Sequence, residues 1–117
     1  ICDASFPTSL LAYWARDRVR GEQIELQKVI KMQTQDTART VGLLDRGVLK
    51  EGFKADVNVI DLENLNARIP EIVHDLPAGG KRFQQKADGY LATLVNGVVT
   101  YQNGTATGDL PGRLIRP

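Results

Sequence analysis

Apolar positions in the first third of the chain recur at helical spacing. Leu11, Trp14 and Ala15, with Arg18, fall on one face of a helix predicted from about Pro7 to Val19. Proline suits a first helical turn, where its missing N–H would have no partner anyway. Arg16, Arg18 and Arg20 place cations at the negative end of the helix dipole, and Gly21 stops the helix. Leu26, Val29, Ile30 and Gln33 then repeat at the same spacing, with Glu25, Gln27, Lys28 and Lys31 outside, which predicts a second helix over Ile24 to Met32. Thr34 reads as the N-cap of a short third helix. Asp36 lies in its first turn, Ala38 and Val41 face inward, and Gly42 follows its last turn.

Beyond Gly42 the period changes from helix to strand. Gly47 and Gly52 are candidate turn positions, and Val57-Asn58-Val59-Ile60, closed by Asp61, has the β-branched content of a mostly buried strand. Tyr90 to Val95 and Val98 to Gln102 flank Asn96-Gly97, a pair suited to the positive φ angles of a type I′ hairpin turn. Asn103-Gly104 makes another turn. Leu62 to Ile72 is weakly patterned, and Val73 to Lys86, interrupted by Pro77, Gly79 and Gly80, is predicted as a loop. The expected fold is α+β: two to three helices over residues 1–44, then a small, mainly antiparallel β-domain, a partial β-sandwich, over residues 45–117. So few strands leave open edges, so sheet partners are expected from another segment or another copy of the chain.

Composition narrows the class. The 117 residues carry 15 basic and 14 acidic side chains, a net charge of +1, so no electrostatic case exists for nucleic acid or for an anionic membrane surface. No apolar run approaches the roughly 20 residues of a membrane span. No signal-peptide pattern is present, and a single cysteine excludes an internal disulfide framework. These features predict a cytoplasmic protein. The chain opens at Ile1, as a processed protein or a piece of a longer one would.

The central stretch reads Gly-x-Leu-x-x-Gly-x-x-Ala-Asp-x-x-x-x-Asp, filled by Gly47, Leu49, Gly52, Ala55, Asp56 and Asp61. It resembles the hallmark of metal-dependent amidohydrolases, where the chain leaves its last barrel helices and re-enters a small β-domain. Thr34, Ala38 and Arg39, Gly42-Leu43, and the hairpin Leu94-Val95-Asn96-Gly97-Val98-Val99 are similar too. The closing run from Thr107 to Arg116, the Asp75-Leu76-Pro77-Ala78-Gly79-Gly80 loop and the opening Ile1 to Thr8 look like the D-aminoacylase branch, the N-acyl-D-amino-acid deacylases. The resemblance implies a C-terminal portion of such an enzyme: the end of the barrel over 1–44 and most of the β-domain over 45–117. It implies zinc or another divalent metal in the parent, activating water for amide hydrolysis, with an aspartate moving the proton. The family's His-x-His pair, further histidines and aspartate motif are absent here, so this chain alone is expected to bind no cofactor and to be inactive. Its partner would be the N-terminal part of the parent, or itself. The alternative is a stand-alone β-module with an assembly or binding role. A monomeric, cooperatively melting chain would count against missing sheet partners.

Four residues are candidates for substrate proximity. The lone His74 cannot build a hydrolytic metal site, which needs about three protein ligands. It is read as a loop histidine, or as one that folds over the barrel mouth of the parent. Cys2, Asp3 and Ser5 would lie near the end of the last barrel strand, where side chains face the active site. Cys2 has no nearby base to make it a nucleophile. Asp56 and Asp61 fall on opposite faces of a strand, so they are expected to serve turns through bonds to backbone N–H groups, not to hold a metal. Trp14 and Tyr13 are read as packing, Lys81-Arg82 as solvated, and Arg113 and Arg116 as anchors of the tail.

Overall fold

A computed structural model describes residues 3–115. Two helices lead into three antiparallel sheets, and the α+β class is as expected. The first helix occupies residues 3–17: a 3-10 turn at Asp3–Ser5, an α turn at Phe6–Ser9 and a π-wound stretch at Leu10–Asp17. It ends two residues before the predicted Val19, which is 96% exposed. Two carbonyls of its last turn find partners beyond the helix. The Trp14 carbonyl accepts the Ile24 N–H at 3.0 Å, and the Arg16 carbonyl accepts the Gln23 side-chain amide at 2.6 Å. Tyr13 and Trp14 meet edge to face, and the Arg18 guanidinium lies 4.4 Å over the Trp14 ring.

The second helix corrects the expectation of two short helices. It runs unbroken through residues 26–40: Leu26–Lys31, a π-wound stretch at Met32–Asp36, then Thr37–Thr40. Thr34 is no cap. Its hydroxyl donates to the Ile30 carbonyl one turn back, at 2.7 Å, which satisfies a helix-interior threonine without a break. Val41, expected to face inward, is 65% exposed. The end is as the glycine foretold. Gly42 takes φ 78°, the Leu43 N–H reaches the Ala38 carbonyl at 2.8 Å and the Gly42 N–H that of Arg39 at 3.0 Å, the paired bonds of a Schellman motif.

The main sheet has the order β1-β6-β7-β8, all antiparallel, with β1 at Val57–Ile60, β6 at Tyr90–Val95, β7 at Val98–Gln102 and β8 at Thr105–Ala106. β2 (Asn66–Ala67) pairs with β5 (Ala87–Asp88). The stretch predicted as a loop is instead a hairpin, β3 (Glu71–Leu76) with β4 (Gly80–Gln84). Proline and the two glycines do their work only at the tight turn Pro77–Gly79, where Ala78 and Gly79 take φ of 58° and 70°. Around that turn Ile72 pairs with Phe83 and Val73 with Arg82. No helix among the described residues is long and apolar enough to cross a membrane.

The core is small and joins the helices to the sheet. Leu11, Ala12, Val29 and Leu65 are buried together, with Ile60, Leu62 and Tyr90 packed against them. Gly89 makes this possible. At φ 91°, a Cβ there would sit 2.6 Å from the Leu65 Cα, so only glycine lets the two backbones close over the core. Two polar contacts tie the first helix down: the Thr8 hydroxyl and the Tyr90 hydroxyl, 2.8 Å apart, and Arg16, whose guanidinium donates to the Leu62 and Glu63 carbonyls.

Candidate functional site

The stretch from Gly47 to Asp61 fastens the second helix to the β6–β7 hairpin. Gly47, at φ 82°, approaches the helix so closely that a Cβ would stand 2.8 Å from the Gln35 Cα. The chain then turns: the Phe53 N–H bonds the Lys50 carbonyl at 3.0 Å, and the Lys54 N–H that of Asp45 at 2.8 Å. Gly52 supplies a positive φ of 83° in this turn. Asp45 takes contacts from Arg46 at 3.0 Å and Lys54 at 3.4 Å, and the Arg46 guanidinium holds its carboxyl below the ordinary range.

Asp56 closes the seam. One carboxylate oxygen accepts the Asn96 N–H at 2.8 Å, and the other accepts Arg46 at 2.9 Å. The neighbouring Ala55 carbonyl accepts the Gly97 N–H at 2.9 Å. The two motifs of the sequence, Ala55-Asp56 and Asn96-Gly97, are therefore one structural unit. Asn96 and Gly97 have φ of 51° and 81°, as a type I′ turn requires. Asp61 serves a second turn. It accepts the Asn64 N–H at 3.3 Å and the Asn64 side chain at 2.7 Å, which lowers its pKa. Its own N–H reaches the Gly89 carbonyl at 2.8 Å. Leu49 is the exception in the motif: it is 86% exposed, and nothing among the described residues covers it.

Of the candidates for substrate proximity, Ser5 and His74 line no common pocket among the described residues. Cys2 lies outside the described residues. Asp3 opens the first helix, and Ser5 sits half-buried in its first turn. His74 is on β3, not in a loop, with its ring exposed and Nδ1 3.4 Å from the Gly79 carbonyl of its own hairpin. Beside it Asp75 is bound to Arg82 at 2.6 and 2.7 Å, so Arg82, expected to be solvated only, holds the Asp75 carboxyl below its ordinary value. A shallow cavity of about 390 Å³ lies under the tail, lined by Val95, Tyr101, Leu110 and Pro111, with Asp109 at its edge.

These residues do not fit a metal ion. Among those described, no group of three or more histidine, cysteine or carboxylate side chains converges. The carboxylates nearest the seam are committed: Asp45 and Asp56 to Arg46, Asp61 to Asn64, and Asp88 to Arg68. Sequence reasoning missed Gly89 and Arg46. Arg46 borders the motif, and its position between Asp45 and ten-residue-distant Asp56 is a signal only once the turn is known.

A profile described as "Amidohydrolase family" matches residues 2–101. A dihydroorotase of Lactobacillus acidophilus is 31% identical over 105 residues, which make up 88% of this chain and 24% of that protein. This chain thus spans about a quarter of that relative's length. No solved structure matches it. With the family profile covering residues 2–101, the chain belongs to the amidohydrolase family.

Proposed function

We propose that these residues are the C-terminal part of a metal-dependent hydrolase of non-peptide C–N bonds, and that its substrates are N-acyl-D-amino acids. Residues 1–44 would complete the catalytic barrel, and residues 45–117 would form most of its β-domain. One observation carries the reading. The seam of the family motif is fully built, yet its Leu49 is 86% exposed, and Leu44, just before the motif, is 72% exposed. Exposed leucines on and next to an otherwise fastened turn fit a surface made to be covered. Its cover would be the barrel, or failing that a second copy. The tail from Thr107 to Arg116 and the Asp75 to Gly80 turn support the deacylase branch by their similarity to it.

In this reading the divalent metal, zinc or another, is held by residues beyond these, and no residue described here takes a share in its ligation. Cys2, Asp3 and Ser5 approach substrate at the barrel mouth, and His74 reaches over it from the β3–β4 hairpin. A second reading, dihydroorotase activity, is favoured by the 31% identity to a protein of that name.

The experiment is to read the coding sequence upstream of Ile1 and assay the polypeptide it encodes, with zinc, on N-acetyl-D-amino acids and on dihydroorotate. Deacylation supports the proposal, and activity on dihydroorotate alone selects the second reading. A start codon directly before Ile1, or zinc-dependent deacylation by the 117 residues alone, overturns the proposal. In an active longer chain, His74→Ala is expected to raise KM; unchanged kinetics would remove His74 from the substrate's path.

A further inference from the structure

Two Asn-Gly pairs close the β6–β7 and β7–β8 turns, and their chemistry differs. In such a pair the backbone nitrogen of glycine attacks the asparagine Cγ. The C–N bond to the side-chain nitrogen breaks, ammonia leaves, and a cyclic imide forms. Water then opens either imide carbonyl, giving aspartate or isoaspartate. Glycine favours the attack because no Cβ shields its nitrogen. The step also requires the glycine N–H to give up its proton and the turn to leave its resting geometry.

The resting geometries are alike: Asn96 has φ 51° and Asn103 φ 47°, and both are exposed. What differs is the nitrogen that must attack. The Gly97 N–H donates to the Ala55 carbonyl at 2.9 Å, and the preceding Asn96 N–H is held by the Asp56 carboxylate at 2.8 Å. At the other turn the Asn103 N–H donates to the Leu91 carbonyl at 2.9 Å, but among the described residues the Gly104 N–H meets no acceptor outside the strand ladder. The space beside Gly104 is open, with no atom within 4 Å of where a Cβ would stand.

We infer that Asn103 is a site of spontaneous conversion to aspartate and isoaspartate, and that the seam protects Asn96 from the same reaction. Conversion replaces a neutral amide by a carboxylate and takes the net charge from +1 to 0. The isoaspartate product adds a backbone methylene to the turn that carries β8. It therefore loosens the edge strand and the Thr107 hydroxyl's bond to the Val99 carbonyl, 2.8 Å long, where the tail begins. This inference is independent of the proposed substrate.

The test is to age the folded chain in mildly alkaline buffer, cut with chymotrypsin at Tyr101 to separate the two sites, and follow amide-to-acid conversion by mass spectrometry. A parallel sample in guanidinium gives the intrinsic rates. Native Asn103 is expected to convert at least about tenfold faster than Asn96, the factor that one broken hydrogen bond of about 1.4 kcal/mol supplies. The two rates should converge in denaturant. Asp56→Ala should speed conversion of Asn96 and leave Asn103 unchanged. Equal native rates, a difference that persists in denaturant, or an Asn96 rate indifferent to Asp56→Ala would each overturn the inference.

Discussion

The β6–β7 and β3–β4 hairpins are both antiparallel ribbons closed by tight turns, yet only one is fastened to the rest of the molecule. The β6–β7 hairpin is gripped at three points: Asp56 and Ala55 hold its turn, β1 pairs along its edge, and Tyr90 meets Thr8 of the first helix. Among the described residues the β3 and β4 strands pair only with each other. The hairpin's paired apolar residues, Ile72 and Phe83, are 56% and 65% exposed, and its Asp75–Arg82 ion pair lies in solvent. A lone two-stranded hairpin is marginal in water, and exposed ion pairs add little. Identical secondary structure thus conceals unequal stability, and the inequality follows from what lies behind each ribbon.

The largest expected effect falls on the fastened side. Leu65→Ala removes the buried residue under Gly89 and should destabilise the chain by about 2–5 kcal/mol, seen as a lower denaturant midpoint. A change below half of that would mean the core lies elsewhere. Next comes Asp56→Ala, which removes the acceptor of the Asn96 N–H and leaves Arg46 paired with Asp45 alone. Its Tm should fall less than that of Leu65→Ala but clearly below wild type, with the loss concentrated at the β6–β7 turn in amide exchange spectra. Thr8→Val, which breaks the contact with Tyr90, should cost about 1 kcal/mol. A neutral result would show that the first helix is held by packing alone.

The smallest global effect is expected on the free hairpin. Arg82→Ala should leave the Tm unmoved while the Asp75 carboxyl titrates at higher pH, as carboxyl NMR would record. The sign follows from the shift. Arg82 lowers the folded pKa of Asp75 below its ordinary value of 3.8, so the pair's contribution is present above that value and is lost as pH falls through the folded one. An unchanged Asp75 midpoint in the variant would deny the ion pair in solution.

Much of the fastened region was legible in the sequence, because local rules decide it. Gly42 ends a helix, Asn96-Gly97 makes a hairpin, and Val57 to Asp61 is strand-like, each for reasons contained in a few residues. The roles of Asp56 and Asp61 in turns were legible for the same reason, though not that Asp56 reaches a turn forty residues away. Thr34 misled because its hydroxyl serves equally as a cap or as a back-bond, and only the helix around it decides. The β3–β4 hairpin was hidden by Pro77, Gly79 and Gly80, whose breaking effect is confined to three residues. Gly89 gave no local sign at all, since its constraint is the backbone of Leu65 across the core. The candidate His74 stays apart from the seam because its ring sits on β3, 3.4 Å from the Gly79 carbonyl of its own hairpin.

The central claim is that the Gly47–Asp61 stretch is a fastening whose grip ends at the β6–β7 hairpin. Residue-resolved native-state hydrogen exchange tests it most directly. The account predicts that the Asn96 and Gly97 amides exchange only through openings as costly as those of β1 and β6, and that the amides of residues 71–84 exchange far sooner. Asp56→Ala should abolish the first protection without altering the second. Equal protection of the two hairpins, or fast exchange at Asn96 and Gly97 in the unaltered chain, would contradict it.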